Sequence, residues 1–424
     1  MNFLIKYLQE SIKYLLRSYP LIMKDIKLVE FLYGLNPMEM KAYKEKRFIE
    51  IFRRAYTKSD FYKNLYRNAG ISIEDIQCVD DIKKLPIVTK DMIRCNRDDF
   101  LTVPKWKVFK SNTSGTTGTP LTVYEDMSTI RRFAAYLYTS RKQYGFIQGM
   151  PLVSLRGTLD RNVKAMKIHI SNTLYLSSYN INDNTIKEYV NLINKHNPVA
   201  IEGYPSSLYA LALVLRTNEM SLSIPYTFTS SETLHGYQRA LIEEYLHTNI
   251  YDRYGMTEKT ISLVESIDHA YYEEAPGFSI VETTEDGEVC TSLLNEAFPL
   301  IRYKSNDLLE VLSKENEFSG IRVGKIWGRN DDFLICKDKT RIKRIFIKDC
   351  KNILACQWIQ KEEGKVLIKI VPDSLFSRND ELDVIRKTQE RVGEYNMDIE
   401  TEITSIENLI YTNRGKYKLI VNQI

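Results

Sequence analysis

Extended apolar runs and helical patterns alternate in the middle of the chain. Three short apolar runs lie at residues 199–202, 226–229 and 250–254. Helical spacing fills the gaps between them, and the two helices are expected to begin at Pro205 and Gly236. This order predicts a βαβαβ unit with parallel strands, because such crossovers are right-handed. The carboxyl ends of the strands are therefore expected at one edge of a sheet, where open α/β sheets bind ligands.

Polar loops rich in small residues follow the three predicted strands. They read Gly203-Tyr204-Pro205-Ser206, Ser230-Ser231-Glu232-Thr233 and Gly255-Met256-Thr257-Glu258. Three such loops at one sheet edge predict a ligand-binding site.

Beyond this unit the pattern predicts a second, smaller domain. A turn sequence at residues 285–288 separates two β-rich runs, which indicates a hairpin. Farther on, residues 365–371 and 399–403 are typical of strands, and residues 380–395 of a charged amphipathic helix. The predicted fold class is α/β. A large N-terminal domain over residues 1–328 has mixed and parallel sheets flanked by helices, and a small α+β C-terminal domain covers residues 329–424.

Residues 1–40 are expected to form a helical N-terminal extension with an amphipathic start. Its apolar stripe alternates with Lys6, Lys13 and Arg17 and consists of Leu4, Leu8, Ile12, Leu15 and Leu16. Two interpretations are open. The stripe packs on the protein's own core, or the helix makes a weak contact with a membrane surface.

Composition narrows the classes of function. The 424 residues, 43% of them hydrophobic, are enough for two cores. A net charge of +4 without a long basic run predicts no nucleic-acid partner. The six cysteines are dispersed, the five histidines lack zinc-ligand spacing, and neither a signal peptide nor a membrane-spanning run is visible. These features predict a cytoplasmic protein without zinc chemistry.

A loop rich in hydroxyl groups and glycine lies upstream, with the sequence Thr113-Ser114-Gly115-Thr116-Thr117-Gly118-Thr119-Pro120. Its amides and hydroxyls could bind phosphate groups. It is neither a Walker A loop nor a dinucleotide fingerprint. By itself it is equally typical of a flexible surface connection.

Seven segments share an order with one known superfamily. They are TSGTTGTP, GYPS, SSETL, DRYGMTE, IRYKSND, GRNDD and NRGKYK. Their order and spacing over residues 111–418 resemble the adenylate-forming superfamily of acyl-CoA ligases, adenylation domains and luciferases. The segment LPIVTKDMIR upstream of them and the short chain resemble the branch of phenylacetate–CoA ligases and CapK.

This resemblance implies an ATP- and Mg²⁺-dependent ligase. It would convert a small-molecule carboxylic acid to an acyl-adenylate with release of pyrophosphate, and then pass the acyl group to an acceptor. An aryl acid, a small hydroxy or amino acid, and a fatty acid are all open as the substrate. The acceptor is the thiol of CoA, a carrier thiol, or an amine or hydroxyl of a sugar in surface-polysaccharide synthesis. The alternative is a nucleotide-binding scaffold or regulator that kept the fold and lost catalysis.

The resemblance also implies roles for residues of the large domain. Tyr254 would stack on adenine, and Asp307 and Arg329 would contact the ribose. Gly203, Tyr204 and Ser230 would border the acid pocket. The full set of implied nucleotide contacts is Thr113, Ser114, Gly115, Thr116, Thr117, Gly118, Ser231, Glu232, Thr233, Asp252, Tyr254, Gly255, Asp307 and Arg329.

Catalytic roles are implied for three residues. Thr257 would hydrogen-bond the α-phosphate, Glu258 would hold Mg²⁺, and Lys416 would stabilise the charge that develops as the acid attacks. Asp331 matches the position of a hinge, at about residues 329–332, which implies a mobile small domain.

Two positions depart from the superfamily pattern. Leu121 stands where many members have a lysine, and residues 337–341 lack an expected glycine. The resemblance therefore covers adenylation more fully than acyl transfer.

Overall fold

The structure is a computed structural model. It describes residues 3–113, 121–155, 159, 163–284, 287–305, 307–313, 320–329, 333–343, 352–373, 375–393, 395–411 and 418–424, without the side chains at 3, 313, 327–329, 343 and 407. Contacts divide the described residues into two compact units. The large unit comprises those up to 305 together with 309–326, and the small unit comprises 307–308 and those from 327 onward. The predicted hinge falls mostly outside the described residues and stays a prediction.

Helices dominate the first hundred residues. Within the described ranges the α-helices are α1 (Phe3–Leu16), α2 (Met23–Tyr33), α3 (Pro37–Lys58), α4 (Asp60–Asn68), α5 (Lys90–Asn96), α6 (Met127–Lys142), α7 (Ile186–His196), α8 (Pro205–Thr217), α9 (Gly236–Leu246) and α10 (Arg378–Val392). Short 3₁₀ helices lie at Ile73–Asp75, Val79–Lys84, Arg97–Phe100, Lys105–Lys107, Ser178–Asn180 and Ile406–Asn408. Helix α3 starts at a capping box, in which Asn36 and Glu39 each bond the other's backbone N–H.

Strands follow from residue 108 onward. The described strands are β1 (Val108–Asn112), β2 (Thr122–Asp126), β3 (Leu152–Leu155), β4 (Ala165–Ile168), β5 (Thr173–Leu176), β6 (Ala200–Gly203), β7 (Tyr226–Ser230), β8 (Asn249–Gly255), β9 (Ser262–Glu265), β10 (Tyr272–Glu274), β11 (Ser279–Thr284), β12 (Gly287–Ser292), β13 (Tyr303–Lys304), β14 (Asp307–Ser313), β15 (Arg322–Arg329), β16 (Phe333–Ile335), β17 (Arg341–Lys343), β18 (Ile353–Glu362), β19 (Lys365–Pro372), β20 (Asp398–Ile403) and β21 (Ile420–Asn422).

One ten-stranded sheet contains the predicted parallel strands. Its order is β14-β15-β10-β9-β8-β7-β6-β3-β5-β4. Strands β5, β3, β6, β7 and β8 run parallel, whereas β4 at one end and β9, β10 and β15 on the other side are antiparallel to their neighbours. The predicted βαβαβ unit is confirmed, because α8 joins β6 to β7 and α9 joins β7 to β8.

The other described sheets of the large unit are small and antiparallel. Strands β1 and β2 form a pair, and β11, β12 and β13 form a three-stranded sheet. The hairpin predicted at residues 285–288 is confirmed by the pairing of β11 with β12, in which Thr284 lies opposite Gly287. Residues 285 and 286 themselves lie outside the described ranges.

Aromatic side chains from the helical region fill a core of the large unit. Phe48 and Phe52 of α3 are buried with Tyr62, Phe100 and Phe298. The rings of Phe100 and Phe298 stack at 5.3 Å, and the hydroxyl of Tyr62 donates to the carbonyl of Pro299 at 3.2 Å. This core attaches α3 and α4 to the segment before β13.

The small unit combines a four-stranded sheet with α10. The sheet order is β20-β19-β18-β21, and β16 pairs with β17 separately. The predicted strand, helix and strand correspond to β19, α10 and β20, so the expected α+β character is confirmed. In the turn that lacks glycine, Lys339 takes a left-handed φ of 66°, and the Asp338 carboxylate accepts a hydrogen bond from the Thr340 amide at 2.8 Å. That bond supports a conformation that glycine adopts at lower cost.

Helix α1 forms as predicted but does not face the core with its apolar stripe. Of the predicted stripe, Leu4, Leu8, Ile12 and Leu15 are 60, 50, 54 and 46% exposed, whereas Leu16 is half-buried. The interpretation that this stripe packs on the protein's own core is therefore wrong, because the opposite side of the helix makes the contacts. No helix in the described residues is both long and apolar enough to cross a membrane.

Candidate active site

Residues from three predicted loops meet at the carboxyl edge of the parallel strands. Gly203 pairs with Leu155 on one side and with Thr229 on the other, and Thr229 pairs with Asp252. Ser230 lies beside Arg253 one residue farther along. The geometry therefore brings the loops after β6, β7 and β8 together, as the pattern of the sequence predicts.

Gly203 ends β6 at a place with little room for a side chain. A Cβ there would lie 3.1 Å from Cγ of Leu208 and 3.2 Å from Cβ of Leu155. Tyr204 follows, half-buried, and Pro205 is the first residue of α8. Glycine thus allows α8 to start close against β3, which brings the amino terminus of α8 to the edge.

The amino terminus of α8 receives a carboxylate from the neighbouring loop. The backbone N–H of Ser206 donates to Oε2 of Glu232 at 3.1 Å, a favourable arrangement because a helix amino terminus attracts negative charge. The hydroxyl of Ser206 is buried and has no hydrogen-bond partner among the described residues. A buried hydroxyl without a partner at this edge fits a site that accepts an oxygen-rich ligand.

The loop after β7 contains a strained residue and a neutral histidine. Ser230 and Thr233 are half-buried, whereas Ser231 is exposed and has a left-handed φ of 74°. Such a φ costs energy in a non-glycine residue and is common at functional sites. Burial, with a further contribution from Lys325, lowers the pKa of His235 to about 4.

Asp252 lies in the middle of a buried hydrogen-bond network. Its Oδ1 accepts from the Thr229 hydroxyl at 2.6 Å and its Oδ2 from the Tyr272 hydroxyl at 2.8 Å. Its backbone N–H donates to Glu265 at 2.8 Å. Burial raises the pKa of this carboxyl. Both carboxylate oxygens are engaged within the protein, so Asp252 orders the strand ends, and its contact with adenine stays a prediction.

The turn after β8 carries the predicted metal-binding carboxylate. Tyr254 and Gly255 end the strand, and Tyr254 packs beside the cluster of Ile261 and Leu263. Thr257 is half-buried in the turn. Glu258 is 9% exposed, and its Oε1 accepts a hydrogen bond from the Tyr303 hydroxyl at 3.3 Å.

Among the described residues no group of three or more His, Cys, Asp or Glu side chains could hold a metal ion, so the role of Glu258 in binding Mg²⁺ stays a prediction. The next residue, Lys259, pairs with Glu125 at 2.7 Å, and both side chains are nearly buried. The ammonium is thus bound to a different carboxylate. A carboxylate oxygen is the ligand that Mg²⁺ prefers, and phosphate groups beside it would need a cation.

Two hydrogen bonds join the residues at either end of the loop rich in hydroxyl groups, Thr113 and Leu121. Thr113 N–H donates to the Leu121 carbonyl, and Leu121 N–H donates to Oγ1 of Thr113, both at 2.8 Å. Leu121 is 1% exposed and belongs to the aromatic core. The departure from lysine therefore has a packing reason, because a lysine would place its charge in that core. Ser114, Gly115, Thr116, Thr117 and Gly118 lie outside the described residues.

The site residues predicted near and within the small unit are only partly described. Asp307 begins β14 and is half-buried, and Arg329 ends β15 without a described side chain. Asp331 and Lys416 lie outside the described residues, so their roles stay predictions.

The residues that flank the segment of Lys416 are nevertheless well anchored. Gln357 is fully buried in β18. Its side-chain amide donates to the carbonyls of Ile410 at 2.9 Å and Lys418 at 2.6 Å, and its Oε1 accepts from Ile410 N–H at 2.8 Å. One amide side chain thus holds both ends of residues 411–417.

Several buried charged residues near the edge were not singled out from the sequence. Arg141 of α6 pairs with Glu202 of β6, and its guanidinium lies 4.7 Å from the ring centre of Phe228. Arg239 pairs with Glu265. A cavity of about 40 Å³ lies beside Arg141, and its lining includes Ser140, Arg141, Phe228, Thr229, Ser230 and Asp252. The sequence held one sign of these pairs, because Glu202 and Glu265 each lie in an apolar strand, where a carboxylate normally needs a partner.

Comparisons with known proteins agree with this arrangement. The family model of the CapK C-terminal domain matches residues 334–423. Protein CapK of Staphylococcus aureus is 25% identical over 404 residues, which cover 89% of this chain and 88% of CapK. A phenylacetate-coenzyme A ligase of Thermus thermophilus is 26% identical over 357 residues, which cover 77% of this chain and 79% of that enzyme.

Solved structures share the fold. A 2-hydroxyisobutyryl-CoA ligase in the postadenylation state, in complex with 2-HIB-AMP, superposes with a TM-score of 0.65 at 16% identity, covering 90% of this chain and 89% of that chain. The same ligase in the thioesterification state, with 2-HIB-AMP and CoA, gives a TM-score of 0.56 at 18% identity and covers 92% and 90%.

The ordered segments and the relatives support an adenylate-forming ligase, and the fold is the one seen in solved members of that superfamily. The relatives named above, together with the match to the CapK C-terminal domain, support the branch of CapK and the phenylacetate–CoA ligases.

Proposed function

We propose that this protein uses ATP to activate a small carboxylic acid as an acyl-adenylate and then transfers the acyl group. The observation that carries the proposal is the meeting of Gly203, Ser230 and Asp252 at one sheet edge, with the nearly buried Glu258 in the adjoining turn. A ligand that carries phosphates and a planar base suits such an edge, because it offers hydroxyl groups and an aromatic ring.

The first half-reaction needs an in-line displacement. An oxygen of the carboxylate forms a bond to the α-phosphorus, and the bond from that phosphorus to pyrophosphate breaks. Thr257 donates a hydrogen bond to an α-phosphate oxygen, and Lys416 stabilises the charge that builds on the phosphoryl group. Glu258 would hold Mg²⁺, whose contribution is to offset the charge of the triphosphate.

The space at the edge supports a small acid. Arg141 and Asp252 line the same cavity of about 40 Å³ as Ser230, together with apolar side chains such as Phe228 and Val264. A cavity of this size with charged groups in its wall leaves little room for a long alkyl chain. We therefore favour a hydroxy or amino acid over a fatty acid, with an aryl acid as the next candidate.

The acceptor is the less defined part of the proposal. CoA, a carrier thiol, and an amine or hydroxyl of a sugar are all compatible with an acyl-adenylate. The sugar acceptor is suggested by the resemblance to CapK-like proteins, and the turn at residues 337–341 that lacks glycine does not discriminate among the three. Transfer assays with CoA and with an amino sugar, each added after adenylation, would separate the two.

The test of adenylation is pyrophosphate release from Mg-ATP without an acceptor. Hydroxy, amino, aryl and fatty acids are supplied singly to the wild type, to Lys416→Ala and to the matched control Lys418→Ala. We expect release with one acid class, a loss of about a hundredfold or more in Lys416→Ala, and near wild-type release in Lys418→Ala. Equal activity of Lys416→Ala and wild type would refute the role of Lys416. Bound ATP without release from any acid would favour the scaffold alternative.

Glu258 allows a second test at the same edge. Glu258→Gln keeps the size of the side chain and removes its charge, so we expect pyrophosphate release to fall by about a hundredfold. Added Mg²⁺ should restore part of it, since a weakened metal site fills at higher concentration. An unchanged dependence on Mg²⁺ would contradict the metal role.

A further inference from the structure

Helix α1 turns its apolar side to solvent. We define the α1 apolar face as Leu4, Ile5, Leu8, Ile12 and Leu15, which are 60, 48, 50, 54 and 46% exposed. These residues share one side of the helix, because their spacing follows its period. Surface helices of globular proteins normally bury such a stripe, so the orientation of α1 is the reverse of the usual one.

Contacts on the other side of α1 explain this orientation. The helix packs against the edge strand β4, where Tyr7 contacts the cluster of Met166 and Ile168. Glu10 is 10% exposed and pairs with Lys6 at 3.5 Å and with Lys13 at 2.8 Å. Tyr7 and Glu10 are thus on the side in contact with the protein, Lys13 is about half exposed, and the apolar face is left outward.

Exposed apolar residues continue past the end of the helix. The backbone N–H of Tyr19 donates to the side chain of Gln148 at 3.1 Å, which places Tyr19 beside the loop that contains Ile147. Tyr19 is 62% exposed and Ile147 is 46% exposed. The apolar surface therefore includes a neighbouring loop and an aromatic side chain with a polar end, a residue type enriched where membranes meet water.

The charges around this surface are cationic. Glu10 is the one acidic residue among residues 1–22, and it points toward the protein. Lys13 and Arg17 near the end of α1 are exposed, and so is Lys167 on the strand that the helix packs against. An apolar face with cations around it is complementary to the anionic surface of a lipid bilayer.

We infer that the α1 apolar face binds the surface of an anionic bilayer, with the helix lying in the plane of the interface. A second copy of the chain suits this face less well. Five half-exposed aliphatic side chains supply a few hundred Å², whereas a stable interface takes about 800 Å² from each partner. A bilayer needs no such area in one patch, since each inserted side chain and each nearby cation adds to the affinity independently.

The experiment is vesicle co-sedimentation of the full chain. Phosphatidylcholine vesicles with and without phosphatidylglycerol are compared for the wild type, for Leu8→Glu with Ile12→Glu, and for the matched control Leu382→Glu. Leu382 is 48% exposed on α10, so the control adds a carboxylate at an equally exposed leucine on another helix. Thermal unfolding of each variant checks that the fold is kept, and none of these measurements depends on the proposed ligase activity.

We expect the wild type and Leu382→Glu to sediment with the anionic vesicles and the double variant to lose about thirtyfold or more in affinity. Lys13→Gln and Arg17→Gln should each weaken binding about fivefold, and salt should weaken it further. Binding that is absent, or equal in the double variant, would overturn the inference. Self-association of the wild type that the double variant abolishes, without lipid binding, would assign the face to a second copy.

Discussion

The two main sheets bury opposite kinds of residue. The central strands of the ten-stranded sheet carry buried carboxylates, with Glu202 on β6, Asp252 on β8 and Glu265 on β9. The sheet of the small unit is packed by Trp358, Ile368 and other apolar side chains, and its fully buried polar members are neutral amides such as Gln357.

This difference separates stability from function. A buried charge is costly unless it is paired and hydrogen-bonded, and an apolar residue of similar size usually stabilises the fold at least as well. Glu202 lies one residue before the end of β6 in the proposed ligand edge, whereas Asp252 and Glu265 lie farther from it, so the charge pair of Glu202 is the one that the proposed site best explains. The small sheet has an apolar core. Its proposed contribution to function is to hold Ile410 and Lys418, which flank the segment of Lys416.

The largest expected effect on stability is in the small unit. Trp358→Ala removes a side chain that is 1% exposed and breaks a hydrogen bond from its Nε1 to the Thr388 hydroxyl. We expect a loss of about 3–5 kcal/mol in the free energy of unfolding of this unit. Differential scanning calorimetry should show the unfolding of the small unit moved to lower temperature, and a single unshifted transition would contradict the prediction.

Breaking one charge pair in the large sheet should lower the free energy of unfolding by less than Trp358→Ala does. Removing both charges of the pair should lower it by less again. Arg141→Leu leaves Glu202 nearly buried, bonded to Ser154 at 3.0 Å, and should cost about 2–3 kcal/mol. Adding Glu202→Leu should recover most of that loss while the adenylation activity stays impaired. Chemical denaturation measures both, and a double variant as unstable as the single one would show that the pair serves stability.

Gln357 tests the supporting role of the small sheet. Gln357→Leu leaves the ends of residues 411–417 without their shared amide and should cost about 1–2 kcal/mol. Because the amide acts through Lys416, kcat for pyrophosphate release should fall while KM for ATP changes little. Equal changes in kcat of Gln357→Leu and Gln360→Leu, whose amide bonds Ile335 and Lys365 instead, would remove the positioning role.

The smallest effect at neutral pH concerns His235. Its pKa of about 4 in the folded protein lies below the ordinary value near 6.5, so folding favours the neutral ring. The stability that this ring contributes is present above about pH 6.5 and is lost as the pH falls toward about 4, because the unfolded chain takes up the proton first. His235→Asn should unfold with a weaker dependence on pH between about 7 and 5, and an identical dependence would contradict the assignment.

Local patterns predict the parallel unit well and the charged network poorly. Apolar runs and turn residues were sufficient to predict β6, β7 and β8 and the three loops that meet at their ends. Arg141 and Glu202 are distant in sequence, and no local pattern predicts their pairing. The antiparallel strands β9, β10 and β15 that extend the sheet follow from tertiary pairing rather than from periodicity.

Helix α1 is a second case in which the sequence pattern predicts an element but not its orientation. The spacing of Leu8, Ile12 and Leu15 predicts a helix with one apolar face, but it does not say which way that face points. The contacts of Tyr7 with β4 decide the orientation. Likewise the resemblance supplies the role of Lys416, whereas the clamp by Gln357 requires the fold.

The most direct test of the central claim follows one oxygen atom. The acid that supports pyrophosphate release is labelled with ¹⁸O in its carboxylate, and the AMP formed after acyl transfer is analysed by mass spectrometry. Adenylation predicts one ¹⁸O in AMP, because the carboxylate oxygen that attacks the α-phosphorus stays with it when the acyl group leaves. Unlabelled AMP, or ADP as the nucleotide product, would contradict the assignment of this protein as an acid-adenylating enzyme.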